Sequence, residues 1–249
     1  MPKISIITVT YNAGSCIERT VKSVAEQSFT DYEHIIVDGA SQDDTLALAR
    51  QFGTERLSIH SQKDNGIYHG MNRGLKYAQG EFILFLNAGD TFATPDTLKL
   101  YSEEATAERD IIYGDTNIVD EEGKFLRERH LKAPAILTVG SFSDGMLICH
   151  QAFMVRRSLA PQYSRDYRFS ADYDWTINCI KNTTPTRCIN LRAHTIDYLD
   201  NGATEKHKFV SLRERFEIMK KHYGLMKAIM KHLSFIPRAL KRKFSHQAI

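Results

Sequence analysis

Asp90 closes the segment Glu81-Phe-Ile-Leu-Phe-Leu-Asn87-Ala88-Gly-Asp90, in which an apolar run ends abruptly in small and acidic residues. Phe82 to Leu86 has the length and content of a buried parallel strand, and ligands of open α/β sheets gather outside the carboxyl ends of such strands. A carboxylate there stands where a metal-bound diphosphate could be held. The plainer reading makes Asn87 to Asp90 a turn that leads into a helix near Pro95.

The same design recurs upstream, which favours the first reading. Lys3 to Val9 is an apolar, β-branched run that empties into Thr10-Tyr11-Asn-Ala-Gly14 ahead of a helical pattern. Glu33 to Val37 ends in Asp38-Gly-Ala-Ser-Gln-Asp-Asp-Thr45, where Ser41 or Asp43 can cap a helix carrying Leu46, Leu48 and Ala49. Leu57 to His60, a weaker run, ends in Gln62-Lys-Asp64-Asn-Gly66 before a helix through Met71, Leu75 and Ala78. Four strand tips thus deliver polar clusters to one edge of an α/β sheet.

Val-Thr-Tyr-Asn at the first tip, Val-Asp-Gly-Ala-Ser-x-Asp-x-Thr at the second, and Asp-Asn-Gly-Ile-Tyr-x-x-Met-Asn-x-Gly before the third helix come in a fixed order with Gly-Glu-Phe-Ile-Leu-Phe-Leu-Asn-Ala-Gly-Asp. This order resembles the family 2 inverting glycosyltransferases with the GT-A fold. The likeness is strong over residues 3 to 90 and thinner beyond, where Phe169-Ser-Ala-Asp172-Tyr-Asp174-Trp175 is similar to the family's acidic motif. It implies a mostly parallel central sheet flanked by helices. The expected domain spans residues 1–205, with a nucleotide-sugar half over 1–92 and an acceptor half over 93–205. A basic amphipathic helical segment follows over 206–249.

What the resemblance implies at the site agrees with the chemistry of sugar transfer. The departing nucleotide diphosphate needs its charge neutralised, commonly by Mn2+ or Mg2+ on carboxylate oxygens, and Asp90 is the expected ligand. Asn87 stands where many members have another acid; its amide can meet a hydroxyl or a phosphate but adds no charge. The acceptor hydroxyl must lose a proton as it attacks, and Asp172 matches the general base. The alternative makes Asp172 the N-cap of the helix of Trp175, Ile177 and Ile180. Thr10, Tyr11, Asp38, Asp64, Asn72, Asn87 and Ala88 match positions that line the nucleotide sugar. Gly39 replaces an acid that often helps read uracil, although UDP is the family's usual carrier. His150, Gln151 and Asp174 are expected on the acceptor side, although a lone His beside Met146-Leu-Ile-Cys149 is as readily a hydrogen-bonded core residue. His194 is a possible extra metal ligand.

With 249 residues, 42% of them hydrophobic, the chain can bury one sizeable core. Cys16, Cys149, Cys179 and Cys188 form no Cys-x-x-Cys pair, which suits a reducing cytoplasm better than a disulfide framework. No signal-peptide pattern opens the sequence, and no stretch of membrane-spanning length is apolar throughout. From Lys206 onward, 12 Lys or Arg face only Glu214 and Glu217, a local +10 that leaves the preceding residues at −7 of the overall +3. Leu225 to Phe244 interleaves these cations with apolar residues at helical spacing, a pattern suited to an anionic membrane surface. Phe209 to Met219 reads as a helix folded back on the domain. These features predict a cytoplasmic protein, peripheral on the inner face of the cell membrane, and the resemblance implies that its acceptor is a glycan or lipid-linked glycan of bacterial surface-polysaccharide assembly. No dinucleotide or phosphate loop is intact, and no recognition motif supports a nucleic-acid partner. The rival from another class is a catalytically degenerate subunit that holds a nucleotide sugar or a membrane partner.

Overall fold

The computed structural model describes residues 1–200 and 208–233. The N-terminal half alternates strand and helix: β1 (Ile4–Thr10), α1 (Ile17–Ala25), β2 (Tyr32–Asp38), α2 (Thr45–Phe52), β3 (Leu57–Ser61), α3 (Ile67–Tyr77) and β4 (Phe82–Phe85). β5 (Thr91–Phe92), α4 (Thr97–Glu104), β6 (Ile111–Val119), β7 (Phe125–Glu128), β8 (Phe153–Arg156), α5 (Ala171–Lys181), β9 (Cys188–Leu199) and α6 (Lys208–Tyr223) follow. The strands join one sheet in the order β3-β2-β1-β4-β8-β6-β9-β5, with β7 paired to β6. β1 to β4 run parallel, so their carboxyl ends share an edge. Beyond β4 the sheet is mixed: β8 is antiparallel to both β4 and β6, while β6 and β9 run parallel.

Burial explains the local structure. β1 and β4 are covered on both faces, as continuous apolar strands of a parallel sheet must be. α1 buries Ile17, Thr20, Val21 and Val24, the stripe expected of a helix with one face on a sheet. α3 comes closer still. A Cβ on Gly70 would stand 2.6 Å from Val9 Cγ1, and one on Gly74 would stand 2.5 Å from Ile7 Cγ2. Two glycines four residues apart therefore let the helix backbone rest directly on β1. Gly74→Ala should destabilise the protein despite the better helix propensity of alanine. The propensity gain is about 1 kcal/mol, whereas forcing a methyl into a filled core costs about 1–3 kcal/mol. A lower urea midpoint with an unchanged slope is the expected result; a raised midpoint would mean that Ile7 yields freely.

The C-terminal part joins this body. Ile218 and Met219 of α6, with Ala228 from the helical stretch 225–233, enter the same core cluster as Ile7, Phe85 and Trp175. Leu225, Met226, Met230 and Leu233 remain exposed. The expected boundary at residue 205 and the stretch 234–244 lie outside the described residues. The segment Ala133 to Gly145, which reads as a mobile loop, is instead anchored. Leu137 and Phe142 are buried, Tyr173 donates its hydroxyl to the Phe142 carbonyl, and a 3-10 turn over Val139–Asp144 carries a capping box between Thr138 and Ser141.

Candidate active site

A cavity of about 740 Å3 opens at the carboxyl edge of the sheet. Its wall takes Cys16 and Arg19 from the start of α1, Asn87, Ala88 and Asp90 from the turn after β4, and Tyr68 from α3. Arg129, Met146, Cys149, His150, Gln151, Phe169, Asp172 of α5, Tyr198 and Leu199 at the end of β9, and Arg215 of α6 also line it. Elements from both halves of the sequence thus meet where the parallel strands end.

Asp90 is only 4% exposed. Gly89, at a φ of +100°, turns the chain so that Asp90 folds back beneath the cavity. The Leu199 N–H donates to its Oδ1 at 3.0 Å and Gln151 Nε2 donates to its Oδ2 at 2.7 Å. Burial nonetheless pushes the carboxyl up to about 7, against those hydrogen bonds and the charge of Arg19. Gln151, expected to meet the acceptor, has its amide committed at both ends, since its Oε1 also accepts from Cys149 Sγ at 3.0 Å. Its side chain orients Asp90.

Among the described residues no three His, Cys, Asp or Glu side chains converge as a metal cage. The residues present still suit a divalent ion that keeps most of its ligands from elsewhere. Asp90 supplies one carboxylate, and Asn87 Oδ1 is buried without a hydrogen-bond partner. Mg2+ is commonly held this way, by one or two carboxylates with phosphate and water. His194 does not join them: it is absent from the cavity wall, and its ring lies 4.0 Å from Glu128 on the surface of β9.

Asp172 lies in the first turn of α5, half-buried, and Tyr68 donates to its Oδ1 at 3.0 Å. Ser170 occupies the N-cap, so Asp172 is not the cap. Ser170 Oγ meets Ser211 Oγ of α6 at 3.0 Å, which ties the start of α5 to α6. Next to Asp172 on the wall, His150 is buried with Nε2 2.7 Å from the Tyr163 hydroxyl. Desolvation lowers its pKa to about 4, leaving a neutral ring at neutral pH. Its Nδ1 has no partner. Tyr163 stacks on Trp175 at 4.9 Å between centroids and 8° between planes, and Phe85, His150 and Phe153 contact the same indole. Trp175 Nε1 donates to the Pro161 carbonyl at 2.7 Å, so this aromatic group forms the rigid backing of the site.

Beside the cavity, Tyr11 is 64% exposed on the tip of β1. A Cβ on Gly39 would stand 3.2 Å from both Tyr11 Cδ2 and Asp64 Oδ2, so these residues outline a recess with Gly39 as its floor. Thr10 Oγ1 is buried there without a partner. Asp38 is fully buried and committed to its own turn: it accepts from the N–H groups of Ala40 and Ser41 and from the hydroxyls of Ser41 and Ser61. Asp64 Oδ1 accepts the Gly66 N–H.

Two expected site residues belong elsewhere. Asn72 turns away from the donor side and exchanges hydrogen bonds with the backbone of Tyr163, at 3.0 and 2.8 Å. Asp174 is 3% exposed and faces α6, where His222 Nε2 lies at 2.7 Å and Lys221 Nζ at 3.0 Å. Two positions along the helix separate it from cavity-lining Asp172 by about 200°, and its buried charge needs these partners. Conversely, Arg19, Arg129, Arg215 and Tyr68 line the cavity without having been singled out. Tyr68 sits inside the Asp64-Asn-Gly-Ile-Tyr68 motif, and Arg215 is hidden in the basic C-terminal run.

Residues 5–163 match the family described as Glycosyl transferase family 2. A "PGL/p-HBAD biosynthesis glycosyltransferase" of Mycobacterium tuberculosis is 34% identical over 189 residues, which cover 73% of this chain and 71% of that one. A "UDP-Glc:alpha-D-GlcNAc-diphosphoundecaprenol beta-1,3-glucosyltransferase" of Escherichia coli is 24% identical over 221 residues, 87% of this chain and 85% of the other. Among solved structures, TarS 1-349 of S. aureus in complex with UDP-GlcNAc superposes with a TM-score of 0.75 at 21% identity, covering 94% of this chain and 73% of its own. Glucosyl-3-phosphoglycerate synthase of Mycobacterium tuberculosis, in complex with Mn2+, UDP and glucosyl-3-phosphoglycerate, gives a TM-score of 0.62 at 14% identity, covering 90% of this chain and 81% of its own. At these identities the structural likeness speaks for the fold.

Proposed function

The chain belongs to Glycosyl transferase family 2 and has the GT-A fold, and from this premise we propose that it transfers a hexose or N-acetylhexosamine from UDP to a glycan hydroxyl with inversion. The observation that carries the reading is that Asp90 and Asp172 line a single cavity. One carboxylate stands where a diphosphate leaves and the other where a hydroxyl must lose its proton. A divalent ion, Mn2+ or Mg2+, bound by Asp90 supplies positive charge against the leaving diphosphate. Asp172, held by Tyr68, takes the proton of the acceptor hydroxyl as its oxygen attacks the anomeric carbon from the face opposite that diphosphate. Tyr11, Gly39 and Asp64 form the recess for the base and ribose, with Tyr11 as the stacking ring. Thr10, Asn87 and Ala88 border the sugar and phosphates. His150 offers Nδ1 to a sugar hydroxyl.

The setting is bacterial glycan assembly with a lipid-linked acceptor, a reading supported by the substrate for which the Escherichia coli relative is named. Among the described residues no helix is long and apolar enough to cross a membrane. The exposed Leu225, Met226, Met230 and Leu233, beside Lys227, support attachment to an anionic surface on the cytoplasmic face.

Thermal unfolding with UDP, GDP, dTDP and CMP, each with and without Mn2+, tests the donor class. A ligand bound only by the folded state raises the midpoint by mass action. UDP with Mn2+ should give the largest shift. A shift independent of the metal would put leaving-group stabilisation on arginines, and no shift with any nucleotide would favour a subunit without transferase activity.

A further inference from the structure

Arg215 is the one cation on the cavity wall, among the described residues, that the fold does not use. Arg19 Nη1 donates to the carbonyls of Asp120 and Glu121, and Arg129 donates to those of Leu131, Met146 and Leu147. Arg215 makes no hydrogen bond or ion pair with any described residue, and its Nε is buried without a partner. Arg215 is half-buried, with one guanidinium nitrogen shielded from water and unpaired, and a planar, anionic oxygen group is its natural complement.

Its surroundings say which anion. The neighbouring Glu214 accepts the N–H groups of Arg168 and Phe169 at 2.7 and 2.9 Å, so this turn of α6 lies against the approach to Asp172. Phe169, Asp172 and Arg215 share the wall. Arg19, not Arg215, is the cation whose charge acts on Asp90. On the same helix as Arg215, Phe209 and Leu212 are exposed. We propose that Arg215 binds a phosphate group carried by the acceptor, so that the acceptor is a phosphorylated or diphosphate-linked glycan rather than a neutral sugar. This assignment rests on the transferase reading for where the acceptor lies. An apolar tail on that phosphate would leave the cavity along the face that bears Phe209 and Leu212.

Titration calorimetry on the full chain tests it, with decyl diphosphate, inorganic diphosphate and decyl glucoside as probes, each with and without saturating UDP. Decyl diphosphate should bind in the presence of UDP, and Arg215→Met should weaken it by roughly tenfold or more, as expected for losing charge-assisted hydrogen bonds. Arg215→Lys should recover part of the loss, while UDP affinity and the decyl glucoside response stay unchanged. Inorganic diphosphate weaker than decyl diphosphate, with the difference removed by Phe209→Ser and Leu212→Ser, would identify a lipid source. Equal affinities would identify a soluble phosphorylated glycan. If Arg215→Met leaves every diphosphate probe unchanged, or weakens UDP instead, the proposal is wrong. Loss of UDP binding by the unaltered protein would overturn the transferase reading separately, because the probes are also read without nucleotide.

Discussion

Asp172→Asn is expected to lower turnover by about 10²- to 10⁴-fold, the usual contribution of a positioned general base, while UDP affinity changes by no more than about twofold. The substitution is nearly isosteric. Its amide oxygen accepts the same hydrogen bond from Tyr68 that Asp172 Oδ1 accepts at 3.0 Å. The start of α5 remains fixed by Ser170 and Ser211. Only the ability to take a proton is removed, so kcat and kcat/KM should fall together. Steady-state kinetics with calorimetric UDP binding distinguish this from loss of folding. A variant that keeps a tenth or more of the activity would show that the proton goes elsewhere, and His150, neutral and with a free Nδ1, would be the next candidate.

Asp90→Asn should act in two opposite directions. Transfer should fall by on the order of 10²-fold or more, because the charge that anchors the cation is lost, and the metal-dependent part of the UDP thermal shift should vanish. The metal-free protein, in contrast, should become more stable at pH 8. The Asp90 carboxyl is raised from 3.8 in the unfolded reference to about 7 in the fold. The native state therefore holds its proton more tightly, so the stability that protonation gives is complete below about pH 4 and is lost as pH rises to about 7. The asparagine variant has no such slope. Its advantage in chelator should open across that window and level off above it at a few kcal/mol. Urea unfolding at pH 5 and pH 8 measures it. A gap that does not widen with pH would show that Asp90 is ionised without cost.

The strand tips were legible because a buried parallel strand is rich in apolar, β-branched residues, and Ile4–Thr10, Tyr32–Asp38 and Phe82–Phe85 contain such runs ended by turn-forming residues. β9 went unread for the converse reason. Most of it is only half-buried, its positions alternate weakly, and Arg192 at a φ of +53° interrupts it. Asp90 and Asp172 could be named from local motifs, but the partners that define their neighbours' roles are remote. Gln151 reaches across 61 positions to Asp90, and Asn72 across 91 to Tyr163. Asp174 pairs with His222, 48 positions away. Residue type and spacing reveal that a polar group has work to do; only the folded chain reveals which neighbour it works on.

The sequence has one tryptophan, and it is the indole sandwiched behind the site against Tyr163, Phe85, His150 and Phe153. Every photon of indole emission therefore originates a few residues from Asp172, on the same helix. The buried ring should emit to the blue in the native protein, and its neighbour His150 lines the cavity. The enzyme thus carries its own optical probe, sited so that substrate occupancy can be followed without a label.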